Sequence, residues 1–398
     1  MISVEEARKL LEQTTADFGI ESIPLDQAVG RVLREEWVAD RPMPPYDRVT
    51  MDGIAIRYAD FKSSTRTFSI AGIAPAGKAV MELTTDHTCL EVMTGAILPK
   101  GTDTIIRYED VSIDNDKQTA TVNEASIREG QNVHRMGSDR AVGSLLCKSG
   151  KIIRPAETGI GATIGKSMVK VSKLPRVVIV STGDELVEIN EQPLPHQIRK
   201  SNVYRMMASL RSIGITAERR HLDDDLAEIK ATLKKLLEDY DIILLSGGVS
   251  KGKFDFLPEA LDQVGVTKLF HKIRQRPGKP FWFGQHPNGT TVFAFPGNPV
   301  SSYMCHQVYF LPWLRRTLGD TAIPTPYAEL TDTIHFKPDL TYFAQVKIAY
   351  APTGKILATP IQGNGSGDLA NLTDADAFLE LPAGKEVYGG GEVYRVWR

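Results

Sequence analysis

Cysteine is scarce in this sequence, which has only Cys89, Cys147 and Cys305 among its 398 residues. The three are far apart, and neither a CxxC pair nor a Cys/His cluster is present. A disulfide framework and a cysteine zinc site are therefore not predicted. We expect the chain to lie in a reducing cytoplasm.

Long apolar runs and a strong net charge are also missing. The net charge is −2, and 42% of the residues are hydrophobic and 24% charged, which is ordinary for a globular protein. No run approaches the roughly 20 apolar residues of a membrane-spanning helix. The first residues, MISVEEARKLLEQ, lack the apolar core of a signal peptide. We expect binding to neither nucleic acid nor a membrane.

The signatures of several enzyme classes are absent. No GxxxxGK[ST] motif is present, which excludes an ordinary P-loop NTPase, and no GxGxxG follows the first strand of the α/β part. A nicotinamide-binding Rossmann enzyme is therefore disfavoured. No Ser–His–Asp arrangement stands out among the eight histidines.

The pattern of apolar residues changes along the chain and predicts several domains. A chain of this length exceeds what one core holds, so two to four domains are expected. We predict a multidomain α/β and β protein, with a central doubly wound α/β domain, a β-rich domain inserted in the N-terminal half, and a C-terminal β domain. The predicted boundaries are residues 1–42 with 140–174 for an elongated N-terminal domain, 43–139 for the insertion, 175–323 for the α/β domain, and 324–398 for the last domain.

Local patterns support this division. Ser3 and Glu6 form a capping-box pattern, which predicts a first helix running to about Asp17. Short alternating runs with glycine turns between Arg66 and Val122 indicate strands. From Pro175 onward, buried strands alternate with amphipathic helices, which predicts βαβ units and a parallel sheet.

The segment from Tyr240 to Asp255 contains the clearest candidate ligand loop. Its run Ile242–Leu245 predicts a strand buried on both faces. Small residues follow, whose backbone N–H groups could approach an anion at the carboxyl end of the sheet. They are Ser246, Gly247, Gly248 and Ser250. A tight strand-to-helix turn without a ligand is the alternative.

Neighbouring loops of the α/β domain supply charges of both signs. The carboxylates are Asp184, Glu185, Asp225 and Asp255, and the cations Arg276 and Lys279 lie in the restrained loop RQRPGKP. A second rigid turn, Pro296-Gly297-Asn298-Pro299, precedes a helix that carries Ser301 in its first turn. Carboxylates with phosphate oxygens suit Mg²⁺, and the cations suit an oxyanion. The acidic residues before a helix, Asp225 among them, are alternatively only a cap.

Three further candidates lie in the N-terminal half. Asp52 is part of an Asp-Gly turn, Thr94 ends a predicted strand, and Asp139 lies in a glycine-containing loop. Each of the three patterns can also be explained by structure alone. Asp52 can belong to a plain turn, Thr94 can bond locally to the backbone, and Asp139 can lie in a solvated surface turn.

The chain resembles the MoeA family of molybdopterin molybdenumtransferases, to which the eukaryotic gephyrin E domain is related. The resemblance rests on motifs in family order: PPYDRVTMDGIAIR, VMTGAILPKGTD, GQNVHRMGSD, STGDEL, SGGVSKGKFD, RPGKP and PGNPVSS. It implies a four-domain fold with a MoaB/MogA-like α/β domain, insertion of molybdate into adenylylated molybdopterin with release of AMP, and a need for Mg²⁺. It also implies a homodimer, with a molybdopterin adenylyltransferase and molybdoenzyme maturation proteins as candidate partners.

The resemblance assigns roles to individual residues. Catalytic roles fall to Asp52, Thr94, Asp139, Glu185 and Asp255, and metal binding to Glu185, Asp225 and Asp255. Of the substrate-binding residues, the resemblance points to Arg276, Lys279 and Ser301. The loops described above add Ser246, Gly247, Gly248, Ser250, Pro296, Gly297 and Asn298. The chain departs from the family pattern at Arg48-Val49-Thr50, at Arg276, and at Lys251 and Lys253. Ser366, in the loosely family-like GNGSGD segment, is left out of the predicted site.

Two other functions are weighed against this one. A CinA-like enzyme that processes a pterin or a nucleotide resembles the chain at TGDEL and at the glycine loop, but places that domain first in its chain. A non-catalytic, gephyrin-like scaffold belongs to a different class. The charged site residues present here argue against a scaffold.

Overall fold

The computed structural model describes residues 1–249, 256–321 and 325–398. The chain divides into two compact units. The first contains Met1–Glu35, Ser149–Thr158 and Ser167–Arg398, and the second contains Glu36–Lys148 and Gly159–Lys166. The boundaries of the four sequence-defined domains stay a prediction.

The helices are mostly short. Their bounds are α1 Val4–Gln13, α2 Tyr58–Lys62, α3 Pro155–Thr163, α4 Ser201–Arg211, α5 Leu226–Asp239, α6 Leu257–Gln263, α7 Pro299–Cys305, α8 Leu311–Thr317 and α9 Asn371–Asp374. Turns of 3₁₀-helix span Leu25–Gln27 and Tyr108–Asp110, and a π-helical segment, His306–Phe310, joins α7 to α8. Across the described residues, no helix is long and apolar enough to cross a membrane.

The strands fall into several sheets. Up to Ser172 they are β1 Ile20–Pro24, β2 Trp37–Val38, β3 Arg48–Val49, β4 Gly53–Ile56, β5 Thr67–Ala74, β6 Thr88–Val92, β7 Thr104–Arg107, β8 Val111–Asp114, β9 Thr119–Val122, β10 Val133–His134, β11 Leu145–Cys147 and β12 Met168–Ser172. From Val177 they are β13 Val177–Thr182, β14 Leu186–Val187, β15 Ile198–Arg199, β16 Glu218–Leu222, β17 Ile242–Ser246, β18 Thr267–His271, β19 Gln275–Arg276, β20 Trp282–Gln285, β21 Thr291–Phe295, β22 Tyr327–Leu330, β23 Ile334–His335, β24 Thr341–Tyr350, β25 Ile356–Pro360, β26 Ala377–Leu381, β27 Val387–Tyr388 and β28 Val393–Trp397.

The α/β sheet has the strand order β16-β13-β17-β21-β20-β18. Strands β13, β17 and β21 are buried along their whole length, and the burial of β17 was predicted from the continuous apolar run Ile242–Leu245. One apolar cluster, on one face of the sheet, includes Val177, Ile242 and Phe293, and the other includes Val178, Ile243 and Val292. The central doubly wound α/β domain is therefore confirmed.

Parallel pairing holds for only part of this sheet. Strands β16, β13, β17 and β21 are parallel to one another, whereas β20 pairs antiparallel with both β21 and β18. The chain reaches β21 from β20 through a short turn at residues 286–290, and a short connection of this kind permits only antiparallel pairing. The parallel-sheet prediction was therefore wrong for this edge.

The two remaining large sheets confirm the predicted β-rich regions. In the second unit the strand order is β7-β4-β6-β5-β9-β8, with the buried cluster that includes Ile54, Phe68 and Ile106 against it. In the C-terminal region the order is β19-β24-β25-β22-β28-β26, and an additional β24–β26 pairing closes this sheet on itself. Leu330, Val346 and Leu379 belong to its core.

The first helix starts as predicted but ends earlier. Ser3 Oγ accepts a hydrogen bond from Glu6 N at 3.1 Å, and Glu6 Oε2 accepts one from Ser3 N at 2.7 Å, which confirms the capping box. The helix ends at Gln13 rather than near Asp17. Thr14 leaves the helical conformation, and its Oγ1 donates to the Leu10 carbonyl at 2.6 Å. This local side-chain bond competes with continuation of the helix.

Replacing Gly284 by alanine tests how tightly the antiparallel edge is packed. A Cβ at this position would lie 2.6 Å from the Thr267 carbonyl oxygen and would overlap the Trp282 ring. We expect Gly284→Ala to lower the free energy of unfolding by about 1–3 kcal/mol, because overpacking strains the strand pair. Denaturant titration checks this. Gly159→Ala is the control, since nothing lies within 4 Å of the added Cβ, and its stability should not fall.

Candidate active site

A cavity of about 940 Å³ lies at the carboxyl ends of β13, β17 and β21, within the first unit. Each strand contributes the loop that follows it. The loops supply Ser181, Thr182, Gly183 and Glu185, then Ser246, Gly247, Gly248 and Val249, and then Pro296, Gly297, Asn298 and Pro299. This is the edge at which open α/β sheets bind ligands.

The loop after β17 packs directly against the loop after β13. Gly247 and Gly248 have φ values of +102° and +65°, which favour glycine. A Cβ on Gly247 would lie 3.0 Å from both the carbonyl oxygen and the hydroxyl of Thr182, and a Cβ on Gly248 would lie 2.9 Å from Leu257. The glycines are therefore required by conformation and by space.

Thr182 places an unsatisfied hydroxyl at this contact. Its side chain is only 4% exposed, and among the described residues its Oγ1 has no hydrogen-bond partner. Buried polar groups without a partner are uncommon. A polar group of a bound ligand would satisfy this hydroxyl, so the site is chemically suited to a ligand.

Asn202, at the start of α4, joins two of the loops. Its Nδ2 donates to Ser246 Oγ at 3.1 Å and to the Gly297 carbonyl at 2.8 Å. Gly297 also approaches Gly247, since a Cβ on Gly297 would lie 3.8 Å from the Gly247 Cα atom. Asn202 is not among the site residues predicted from the sequence. The available signal was weak, because asparagine near a helix start is usually a cap.

The C-terminal domain also reaches the cavity. Asn298 Nδ2 donates to Ser366 Oγ at 2.9 Å, and Val300 N donates to the Ser366 carbonyl at 3.1 Å. Gly367 and Leu369 line the cavity. The GNGSGD segment, which the sequence analysis left out of the site, therefore contacts the Pro296–Pro299 turn. The predicted residue Ser301 is buried in α7 and does not line the cavity.

One side of the cavity is formed by residues 186–199, which we call the strap. Its ends, β14 and β15, pair in parallel, and Ile198 N donates to the Glu185 carbonyl at 2.9 Å. Lys200 Nζ and Glu188 Oε1 form an ion pair of 3.0 Å at its base. Leu186, Pro193 and Ile198 of the strap line the cavity. Gln197 and Arg199 of the strap line it as well, so the strap presents apolar, polar and cationic groups to the cavity.

The carboxylates separate into two groups. Glu185 is exposed and lines the cavity, as does Asp224. Asp225 does not line it, because its Oδ1 accepts a 2.8 Å hydrogen bond from Glu228 N and caps α5. Asp255 lies outside the described residues, as does Ser250. Within the described ranges, no group of three or more His, Cys, Asp or Glu residues could hold a metal ion by itself.

The cationic loop is anchored by buried contacts. Gln275 Nε2 donates to the Gly278 carbonyl at 3.0 Å, and the hydroxyl of Tyr309 donates to Gln275 Oε1. A Cβ on Gly278 would lie 2.6 Å from Cys305 Sγ. Arg276 and Lys279 are exposed and do not line the cavity, although the adjacent Pro280 does.

The N-terminal candidates all lie in the second unit. Asp52 Oδ1 accepts hydrogen bonds from the backbone N and the Oγ1 of Thr94, at 2.5 and 2.7 Å. These bonds, the backbone one first, lower the pKa of Asp52, so its carboxylate is ionised at neutral pH. Asp52 and Thr94 are therefore brought together by the fold. A Cβ on the next residue, Gly53, would overlap the Ile106 carbonyl, which explains the glycine in this strand.

Asp139 belongs to a different set of contacts. Arg48 Nη2 donates to His134 Nδ1 at 3.1 Å, so the proton of the neutral ring lies on Nε2. That nitrogen donates to Asp139 Oδ1 at 2.9 Å. Arg48 is one of the residues at which the sequence departs from the family pattern. Arg48 has a structural role in this chain, because it selects the tautomer of the His134 ring that donates to Asp139.

Family models match successive parts of the chain. The MoeA N-terminal region (domain I and II) matches residues 2–165. A probable molybdopterin binding domain matches residues 178–316, and the MoeA C-terminal region (domain IV) matches residues 327–398. The second match contains the glycine loop and the Pro296–Pro299 turn, and the third contains Ser366.

Relatives named molybdopterin molybdenumtransferase are similar to this chain over nearly its whole length. A molybdopterin molybdenumtransferase of Synechocystis sp. is 40% identical over 396 residues, which is 99% of each chain. A protein of the same name from Bacillus subtilis is 30% identical over 99% of this chain and 93% of its own. The crystal structure of a molybdopterin biosynthesis moeA protein from Pyrococcus horikoshii OT3 superimposes with a TM-score of 0.84 at 29% identity, covering 100% of this chain and 99% of that one. Because 40% identity extends over 99% of its length, this chain belongs to the MoeA family.

Proposed function

We propose that this chain is a molybdopterin molybdenumtransferase, which inserts molybdate into adenylylated molybdopterin and releases AMP. The observation that carries the proposal is the cavity in the probable molybdopterin binding domain, formed by three strand-end loops. Relatives bearing this name align along the whole chain. A CinA-like enzyme and a gephyrin-like scaffold are disfavoured, because neither accounts for that alignment.

The lining of the cavity fits the two kinds of chemical group in this substrate. Leu186, Pro193 and Ile198 of the strap suit the flat ring of a pterin or an adenine. The glycine loop, with Asn298 and the Thr182 hydroxyl, which has no partner among the described residues, offers donors to phosphate oxygens. In this reading the protein provides no nucleophile and acts by positioning its substrates and by electrostatic stabilisation.

Magnesium is part of the proposal, and the donor set of the cavity fits it. Mg²⁺ takes oxygen ligands and is often held by one or two carboxylates together with substrate phosphates. Glu185 and Asp224 supply two carboxylates at the cavity. When bound, the ion would neutralise phosphate charge during release of AMP. We propose Glu185 and Asp224 as its protein ligands. The roles of Asp225 and Asp255 stay predictions.

We further propose that Asp52, Thr94 and Asp139 contribute to the reaction, and that Arg276 and Lys279 bind its anionic substrates. We also propose that the chain works as a homodimer in the cytoplasm. There it would receive its substrate from a molybdopterin adenylyltransferase and pass its product to molybdoenzyme maturation proteins. Membership of the MoeA family along the whole chain supports these assignments.

Molybdate-dependent release of AMP tests the function directly. With adenylylated molybdopterin, we expect the purified chain to release AMP only when both molybdate and Mg²⁺ are present, as measured by chromatography. Glu185→Gln should lower the rate and raise the Mg²⁺ concentration needed for half-maximal rate. Glu238→Gln, at the exposed far end of α5, is the control. AMP release at full rate without molybdate would contradict the proposal.

Lys279→Ala tests the role of the cationic loop. We expect the apparent KM for molybdate to rise by about 10- to 100-fold, because one charge-assisted contact with a bound anion contributes about 1.5–3 kcal/mol. The melting temperature should stay close to that of the unchanged protein, since Lys279 is exposed. Lys268→Ala, an exposed lysine on β18, is the control. Earlier melting with an unchanged KM would make Lys279 a structural residue.

Thr94→Ala tests the hydrogen bonds that hold Asp52. Removing the hydroxyl takes away one of two donors, so the pKa of Asp52 should rise toward its ordinary value of 3.8. Since that pKa is lowered in the folded protein, the interaction is present at neutral pH and is lost as the pH falls through the lowered value. NMR titration of the Asp52 carboxyl carbon measures the change. Thr94→Ser keeps the hydroxyl and should keep the lowered pKa. AMP release should fall in Thr94→Ala only.

A further inference from the structure

A partly buried arginine lies immediately behind the cavity wall. Arg205, on the second turn of α4, donates from Nη1 to the Pro299 carbonyl at 3.0 Å and from Nη2 to Asn202 Oδ1 at 3.2 Å. Its guanidinium carbon lies 5.0 Å from the centre of the Tyr303 ring. Arg205 itself does not line the cavity, but Asn202 and Pro299 both do.

The charge of Arg205 is not compensated within the part of the chain that the structure describes. Its hydrogen-bond acceptors there are a carbonyl and an amide, and its Nε atom is buried without a partner. Burial lowers the pKa of Arg205 to about 10, so the side chain stays protonated at neutral pH. The nearby His306 is neutral, because burial first and the Arg205 charge second lower its pKa to about 3.

An uncompensated and partly desolvated cation is unfavourable unless a negative charge approaches it. Several arginines of this protein pair with carboxylates, as Arg176 does with Asp241 at 3.0 Å. Asn202 and Pro299 separate Arg205 from the cavity. An anionic ligand in the cavity would be attracted by the charge of Arg205. The interior screens the attraction less than water does.

Arg205 also determines how Asn202 is oriented. A guanidinium has donors only, so it requires the oxygen of the Asn202 amide to face it. The amide nitrogen must then point the other way, toward Ser246 Oγ and the Gly297 carbonyl. The same guanidinium holds Pro299, which ends the turn. One side chain thus fixes the relative positions of the glycine loop and the Pro296–Pro299 turn.

We propose that Arg205 is a positioning residue for the phosphate groups of the ligand, which clamps Asn202 and the Pro296–Pro299 turn and supplies positive charge from behind the wall. The identity of the ligand rests on the proposed function, while the preference for an anion rests on the contacts of Arg205. The residue acts through its neighbours and does not touch the reacting atoms.

Calorimetry on the full chain can compare the binding of AMP with that of adenosine. The comparison separates recognition of the phosphate charge from recognition of the nucleoside shape. We expect Arg205→Met to weaken AMP binding about tenfold and to leave adenosine binding unchanged, because only AMP carries the phosphate. Arg205→Lys, which keeps the charge but not the forked geometry, should recover part of the affinity for AMP. Arg205→Gln provides a second neutral variant should the methionine variant fail to fold. Arg211→Met, which removes an exposed arginine from the last turn of the same helix, should bind AMP as the unchanged protein does.

Several results would overturn the inference. They are an unchanged affinity for AMP in the neutral variants, an equal loss of AMP and adenosine binding, or no preference of the unchanged protein for AMP over adenosine. The AMP-release assay tests the proposed function and is independent of the binding measurements. If molybdate-dependent release is absent but AMP binding still depends on Arg205 and not on Arg211, the proposed function fails and this inference stands. If molybdate-dependent release occurs but AMP binding is the same with and without Arg205, the proposed function stands and this inference fails.

Discussion

The candidate cavity depends on the absence of side chains where the loop after β17 meets the loop after β13. Gly247 and Gly248 lie so close to Thr182 and Leu257 that a Cβ on either would come within about 3 Å of neighbouring atoms. Gly297 continues this contact from the third loop. Because no side chain separates the loops, they pack closely and together line one cavity. A ligand can then bind to groups that are already in place.

Hydrogen bonds between distant parts of the chain hold this arrangement. Asn202 connects the glycine loop to the Pro296–Pro299 turn, and Arg205 fixes Asn202 from behind. Ser366 attaches the C-terminal domain to the same turn. The Asn202–Ser246 and Arg205–Asn202 bonds are partly buried, whereas the bonds to the Gly297 carbonyl and to Ser366 are exposed. The stability of the region and its capacity to bind an anion therefore depend on the same contacts.

Sequence patterns predicted the structural features that depend on residues close together in the chain. The capping box at Ser3 and Glu6, the buried strands β13, β17 and β21, and the glycine loop all follow from residue type and spacing. The patterns were less reliable where a local competitor acts, as when Thr14 bonds to the Leu10 carbonyl and ends α1 early. They also missed the antiparallel edge, because the direction of a strand depends on the length of its connection.

The candidate site shows the same division. The sequence determined which loops end buried strands, and hence that Glu185, Ser246, Gly247, Gly248, Gly297 and Asn298 would meet at one edge, since the carboxyl ends of parallel strands gather there. Only the tertiary structure decided that Asp224 lines the cavity while Asp225 caps a helix, that Ser366 joins the turn, and that Arg205 bonds to Asn202 from behind the cavity wall. The reason is physical: backbone geometry follows from neighbouring residues, whereas the direction of a side chain and its partners depend on elements that are far away in sequence.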